Sequence, residues 1–283
     1  MKRIIIHGGC GERESKTTPF ELYHQHLSII IAQAYQKLIE SNDAIETALH
    51  CAKLLESDDI FNAGTGSRLQ QDGVVRMSAS IMDSTHNKFA GVINIEDVEY
   101  PSEVAHNLLN QHNSVLCGLN ASKYAHEVLH LPKYNPITPK RYQEYLDLKA
   151  GKTGTIGVVV LDDNGVICAI TSTGGAGYEY PGRVGDSATV AGNYASSLMG
   201  ISCTGIGEHI VNLAVASRVH TRVLDGMELQ VAIDKVISES DALNDYVGLI
   251  ALDSKGNLCH GSTKVAQTLY AYHDGSKVVT FYS

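Results

Sequence analysis

Thr155 follows a lone glycine and opens the apolar run Ile156-Gly-Val-Val-Val-Leu161. A threonine hydroxyl is a poor nucleophile until a base takes its proton, and no histidine lies close in sequence to supply one. Cutting Gly154–Thr155 would free an α-amino group, whose ordinary pKa of about 7.7 to 8.0 suits it to act as base for the same residue's hydroxyl. Glycine fits the position before such a cut, because it tolerates strained dihedrals and lets the hydroxyl approach the preceding carbonyl. Downstream, Arg183 and Asp186 share the segment Tyr-Pro-Gly-Arg-Val-Gly-Asp-Ser, a cation and a carboxylate suited to the α-carboxylate and α-ammonium of an amino-acid head group. Thr204-Gly205-Ile-Gly207-Glu208 then runs into an apolar stretch, where N–H groups at a helix start would hold an oxyanion. Each feature also has a plainer reading: a threonine that begins a strand, a surface salt bridge between Arg183 and Asp186, and an N-cap at Thr204.

The elements around these residues differ between the two halves of the chain. Leu27, Ile31, Ala34, Tyr35 and Leu38 repeat at helical spacing, and Asp43 with Glu46 signals the capped start of a second helix bearing Ile45, Ala48, Leu49 and Ala52. A third helical stretch is expected around Ala105 to Leu129. The prolines from Pro132 to Pro139 then break regular structure, and Arg141 to Gly154 reads as a polar linker, so the linker as a whole covers about 132–154. The second half begins with a hairpin turning at Asp163-Asn164-Gly165, which returns Thr173 beside Thr155. Further hairpins are expected at Ser254-Lys255-Gly256 and Asp274-Gly275, with helices near Glu208 to Val223 and Glu228 to Ser240. Two sheets between layers of helices fit this order.

Composition bounds the answer without revealing it. A chain of 283 residues, 43% hydrophobic and 19% charged, is long enough for one sizeable core, and one domain spanning 1–283 is expected. A net charge of −9 with no basic run disfavours nucleic-acid binding. No segment approaches the roughly 20 apolar residues of a membrane span, and the N-terminal apolar run is short for a signal peptide, so a cytoplasmic protein is expected. The six cysteines are scattered without C-x-x-C spacing and read as free thiols. The histidines include no H-E-x-x-H, and His24 and His26 lack matching ligands, so no cofactor is expected for catalysis. His7, at the end of an apolar strand, reads as a structural turn histidine rather than a base.

Six ordered motifs carry a resemblance over nearly the whole chain. They are His7-Gly-Gly-Cys-Gly11, Phe61-Asn62-Ala63-Gly64-Thr-Gly66-Ser67, Ala79-Ser-Ile-Met-Asp83, Thr155-Ile-Gly157 with Thr171-Ser-Thr-Gly-Gly175, Gly182-Arg-Val-Gly-Asp-Ser187, and Cys203-Thr-Gly-Ile-Gly-Glu208. Together they resemble the plant-type asparaginases, or isoaspartyl peptidases, of the N-terminal-nucleophile hydrolases. The resemblance implies an α+β fold, a four-layer αββα sandwich. It also implies a precursor cut at Gly154–Thr155 into an α subunit of 1–154 and a β subunit of 155–283, paired as an (αβ)2 homo-oligomer.

The roles it implies are Thr155 as nucleophile, Thr173 orienting it, Thr204 and Gly205 holding the oxyanion, Asn62 assisting, and Arg183, Asp186, Gly205 and Gly207 binding an aspartyl substrate. The substrate would be a small molecule or dipeptide with an aspartyl head group, either L-asparagine or a β-aspartyl dipeptide. The carbonyls of Leu55, Glu56, Asp58, Phe61, Ala63 and Thr65 are implied to wrap a structural sodium ion. Ala176 to Tyr180, Ser78 and Lys152-Thr153 depart from the common pattern of relatives, and Thr153 is a rival nucleophile that lacks a preceding glycine. A glycosylasparaginase and a non-cleaving amino-acid-binding relative are the competing readings.

Overall fold

The computed structural model describes residues 1–12, 20–147 and 154–282, so residues 148–153 before the proposed cut, Lys152 and Thr153 among them, lie outside the described residues. Strand β1 (Arg3–Glu12) is followed by helices α1 (Phe20–Ser41) and α2 (Ala44–Ser57), the hairpin β2 (Met77–Asp83) and β3 (Lys88–Ile95), and α3 (Pro101–Leu108). Next come β4 (Val115–Cys117), α4 (Gly118–Lys123) continuing into a π-helical turn at Tyr124–Val128, and α5 (Pro139–Leu146). The later half holds β5 (Ile156–Leu161), β6 (Ile167–Thr173), β7 (Asn193–Ala195), β8 (Met199–Gly205), α6 (Gly207–Leu213), α7 (Val215–Leu224) and α8 (Leu229–Ala242). It ends with β9 (Val247–Asp253), β10 (Leu258–Ser262), β11 (Ala266–His273) and β12 (Val278–Tyr282).

The strands form an eight-stranded sheet, ordered β12-β11-β1-β5-β6-β2-β3-β4, and a four-stranded sheet, ordered β10-β9-β8-β7. Every pairing is antiparallel except β3 with β4. Strand alternation sorts most of the apolar side chains into three main cores, beside a small cluster of Cys10, Tyr246 and Ala266. Ile4, Ile6, Val158 and Val160 face α1 and α2, whereas Ile5, Val159 and Leu161 face Ile250 and Leu252 of the other sheet. Leu249 and Ala251 point the opposite way, onto Val219 of α7 and Ile233 of α8. Three cores between four layers define an αββα sandwich. With both faces covered, β5 and β6 are buried at every position, which is why they read as continuous apolar runs. Each fully buried Ile or Val contributes about 1.5–3 kcal/mol, so the most apolar strands stand at the centre and hold the threonines at their ends rigidly.

Four local expectations need correction. The stretch from Ala105 to Leu129 is not one helix, because α3 stops at Leu108 and β4 is inserted to extend the sheet edge beside β3. The region from Glu208 to Val223 is two helices, broken where Ala214 takes a left-handed φ of 49°. Asp43 caps α2 by accepting from the N–H groups of Ile45 and Glu46, but Glu46 reaches Lys37 instead of closing the capping box. Finally, the polar segment after Pro139 is helical: Thr138 caps α5, and the buried guanidinium of Arg141 donates to the carbonyls of Gly66 (2.5 Å) and Phe61 (3.2 Å). A charged residue read as linker is thus a clamp on the loop that carries Asn62.

Candidate active site

The hairpin of β5 and β6 pairs Ile156 with Ser172, which sets Thr155 opposite Thr173 at the strand ends. The Thr155 hydroxyl donates to Thr173 Oγ1 at 3.2 Å, and Gly175 N–H donates to the same oxygen at 3.1 Å. Both threonines are nearly buried, each 7% exposed. Gly154, just before the pair, has φ +148°, and a Cβ there would lie 2.2 Å from Cβ of Asn62, so the backbone and the space both require glycine.

Asn62 stitches this corner together. Its N–H donates to the Gly154 carbonyl (3.0 Å) and its carbonyl accepts from Gly174 (2.8 Å). Its side chain donates to the Gly175 carbonyl (2.6 Å) and accepts from Arg68 N–H (2.9 Å). Asn62 itself is fully buried, behind the threonine pair rather than on the cavity wall.

A cavity of about 170 Å³ is lined by Thr155 and Thr173, by Gly205 and Gly207, and by Arg183, Asp186 and Glu208. Thr204 lies in β8, where its side chain is buried, and α6 is capped at Ile206, so the N-cap reading of Thr204 fails. Its hydroxyl has no hydrogen-bond partner among the described residues.

Asp186 is only 4% exposed, and its Oδ2 accepts no hydrogen bond among the described residues. Burial pushes its carboxyl up to about 7 against the opposing pull of Arg183. Arg183 does form a salt bridge, but with a different partner from the one expected. Its Nε and Nη2 grip the two carboxylate oxygens of Glu208 at 2.8 and 2.6 Å, with Glu179 at 3.8 Å on the other side. The guanidinium holds the Glu208 carboxyl below its usual range, chiefly through these hydrogen bonds.

Two further buried groups have side-chain partners that sequence reading missed, because those partners lie far away in the chain. Glu56, fully buried, accepts from Ser172 Oγ (2.7 Å), Ser102 Oγ (2.6 Å) and Ser102 N–H (3.1 Å), tying β6 to α2 and α3; burial lifts its carboxyl to about 7. His7 is not at a turn. It lies within β1, fully buried, accepting from Gly9 N–H at Nδ1 (3.3 Å) and contacting Ser202 Oγ through Nε2 (3.0 Å).

Burial pushes the His7 pKa down to about 3. The unfolded chain therefore takes up a proton below about pH 6.5 that the folded chain refuses until about pH 3. Stability from the neutral ring is complete above pH 6.5 and is lost as pH falls through that window. In urea titrations the advantage of the unmodified protein over His7→Gln should shrink by about 1.4 kcal/mol per pH unit between pH 6 and 4. A constant difference would show that the ring is protonated in the fold.

The loop after α2 suits a hard cation in its donor chemistry. Carbonyls of Glu56, Asp58 and Phe61 each accept one hydrogen bond, from Thr65, Phe61 and Arg141, which leaves each oxygen a second lone pair. The loop also doubles back on itself, since a Cβ on Gly64 would lie 2.3 Å from the Glu56 carbonyl oxygen. Among the described residues no group of three or more His, Cys, Asp or Glu is placed to hold a metal.

Two facing sheets between helical layers, with hydroxyl-bearing strand ends meeting at a small cavity, form an α+β sandwich of the N-terminal-nucleophile hydrolase type. A family model described as Asparaginase matches residues 1–152 and 147–282. The chain is 41% identical to an isoaspartyl peptidase/L-asparaginase of Synechocystis sp., covering 98% of this chain and 89% of that protein. It is 34% identical to a plant-type L-asparaginase of Pyrococcus horikoshii, over 91% and 92% of the two chains. It is also 34% identical to an isoaspartyl peptidase of Salmonella typhimurium, over 90% of each. The chain belongs to the asparaginase family.

Proposed function

We propose that this chain is a self-cleaving threonine hydrolase that releases L-aspartate from β-aspartyl dipeptides and from L-asparagine. The observation that carries this reading is the placement of Thr155: it directly follows Gly154, its hydroxyl is bonded to Thr173, and it lines the same cavity as Arg183 and Asp186.

In the precursor the Thr155 hydroxyl attacks the Gly154 carbonyl, whose oxygen already accepts from Asn62 N–H. That N–H stabilises the oxyanion that develops there. The acyl group passes from nitrogen to oxygen, water hydrolyses the ester, and Thr155 becomes the first residue of a 155–283 subunit, leaving 1–154 as its partner in an (αβ)2 assembly. The freed amine then serves as base. Thr155 attacks the side-chain carbonyl of the bound aspartyl group, with Thr204 and Gly205 around the oxyanion. Ammonia or an amino acid departs with the proton delivered by the Thr155 ammonium, and water cleaves the aspartyl ester. Arg183 would take the α-carboxylate and Asp186, bordered by Gly207, the α-ammonium. The main-chain carbonyls of Leu55, Glu56, Asp58, Phe61, Ala63 and Thr65 would hold a sodium ion, whose contribution is to neutralise converging carbonyl dipoles.

The test is to incubate the purified protein with L-asparagine and with a β-aspartyl dipeptide, assay L-aspartate, and follow intact masses. Release from both substrates with two fragments joining at Gly154–Thr155 is expected. An uncut chain that releases no aspartate would favour a non-cleaving binding protein.

Asp186 gives the reaction a pH dependence with a defined sign. Only its ionised form pairs with an ammonium, and its carboxyl is raised to about 7. Competitive inhibition by L-aspartate should therefore tighten as pH rises toward 7, by up to about tenfold per unit, and level off above it. Asp186→Asn should bind weakly, with that slope removed. A slope that persists in the variant would assign the titration to another group.

A further inference from the structure

Beneath the three threonines lies a second layer of polar residues. Moving two positions along each strand keeps the same face of the sheet. From Thr155 that step reaches Gly157, from Thr173 it reaches Thr171, and from Thr204 it reaches Ser202. His7 pairs with Gly157 in the β1–β5 register. These residues are joined across the gap between the sheets: His7 Nε2 lies 3.0 Å from Ser202 Oγ, Ser202 Oγ 2.6 Å from Thr171 Oγ1, and Thr171 Oγ1 3.5 Å from the Gly192 carbonyl. His7, Thr171 and Ser202 are all fully buried.

The direction of the chain follows from its ends. Gly9 N–H donates to His7 Nδ1, so a neutral ring carries its proton on Nε2, which faces Ser202 Oγ, and the ring also hydrogen-bonds the Thr155 backbone. Ser202 then donates to Thr171, and Thr171 to the Gly192 carbonyl, so each hydroxyl donor has one acceptor. The chain passes directly over Gly157, where a Cβ would meet Ser202 Oγ at 2.1 Å and His7 Nε2 at 2.2 Å. Elsewhere the gap holds apolar groups such as Val159, Ala169 and Ile250, whose attraction is non-directional, and Asn193 of β7, whose amide donates to Ser80 Oγ (3.0 Å) and to the Ala169 carbonyl (3.2 Å). Hydrogen bonds fix distance and angle instead.

We propose that His7, Ser202 and Thr171 are positioning residues that set the spacing between Thr155 and Thr173 on the large sheet and Thr204 on the small one. This rests on the hydrolase reading above. Thr171 and Ser202 join β6 and β8, the strands that carry Thr173 and Thr204, and a misplacement near 1 Å at a reacting centre costs about 100-fold in rate.

The experiment compares Thr171→Val, Ser202→Ala, their double variant and Thr171→Ser, each checked for folding by its melting temperature. For each, kcat and KM with L-asparagine and the extent of self-cleavage are measured. The expected result is KM close to that of the unmodified protein, because Arg183 and Asp186 are untouched. With it, kcat should fall about tenfold or more in Thr171→Val and in Ser202→Ala and be largely recovered in Thr171→Ser, with the double variant no worse than the poorer single one. Should Thr171→Val not fold, Ser202→Ala, which deletes a single oxygen, carries the same expectation alone. Folded variants with unchanged kcat, or losses that multiply in the double variant, would overturn the proposal. An unmodified protein that releases no aspartate would count against the hydrolase reading, whereas an active one with indifferent variants counts only against this layer.

Discussion

Thr155→Ala should leave one intact chain and lower L-aspartate release by about 10⁴-fold or more, since removing a nucleophile leaves only the contribution of binding and oxyanion contacts. The two losses have a common cause. The hydroxyl that donates to Thr173 in the uncut chain is the internal attacker on the Gly154 carbonyl and, after the cut, the attacker on substrate. Alanine fits the space, so the variant should fold with an unchanged melting temperature. Intact mass under denaturing conditions and an aspartate assay read both effects on one sample. An uncut variant that still turns over substrate would remove Thr155 from the mechanism.

How much of this was legible in the sequence depends on whether residues adjacent in space are also adjacent in the chain. The Thr155 and Thr173 pair was readable because a single Asn164-Gly165 turn joins two apolar strands and fixes their register. The order of strands and helices suggested two sheets between helix layers, and the four-layer sandwich came with the family resemblance. The Arg183 fork was only half readable: its cationic role is local, but Glu208 meets it from α6, and no periodicity links the two. Arg141 looked like part of a solvated linker because one buried guanidinium among polar neighbours leaves no pattern, and its partners Phe61 and Gly66 act through carbonyls. Glu56 with Ser172, and His7 with Ser202, are separated by 116 and 195 residues. Only tertiary packing brings them together, α2 on β6 for Glu56 and sheet on sheet for His7. Side chains that act in the gap between sheets are isolated polar residues in otherwise apolar strands, a feature visible in sequence whose meaning depends on the fold.

Arg183→Lys should process normally yet raise KM by about 30-fold, with kcat changed far less. Self-cleavage uses Thr155, Gly154 and Asn62, none of which Arg183 touches. Substrate binding uses the planar fork, which an ammonium cannot match at two oxygens. The magnitude follows from the about 2–5 kcal/mol lost when one partner of a hydrogen-bonded charge pair is truncated, taken at its lower end because lysine keeps the charge. The resting partner of that fork is Glu208, which must yield to a substrate carboxylate. Its side chain is 55% exposed, so the bridge is worth at most about 1 kcal/mol and displacing it is cheap. Glu208→Gln should therefore lower KM, by no more than about fivefold, while Arg183→Lys raises it. Opposite shifts from two members of one ion pair would identify the fork as the carboxylate site, because a pair that merely braces the loop gives shifts of the same sign. Unchanged KM in Arg183→Lys, or loss of the self-cleavage it should spare, would place the carboxylate site elsewhere.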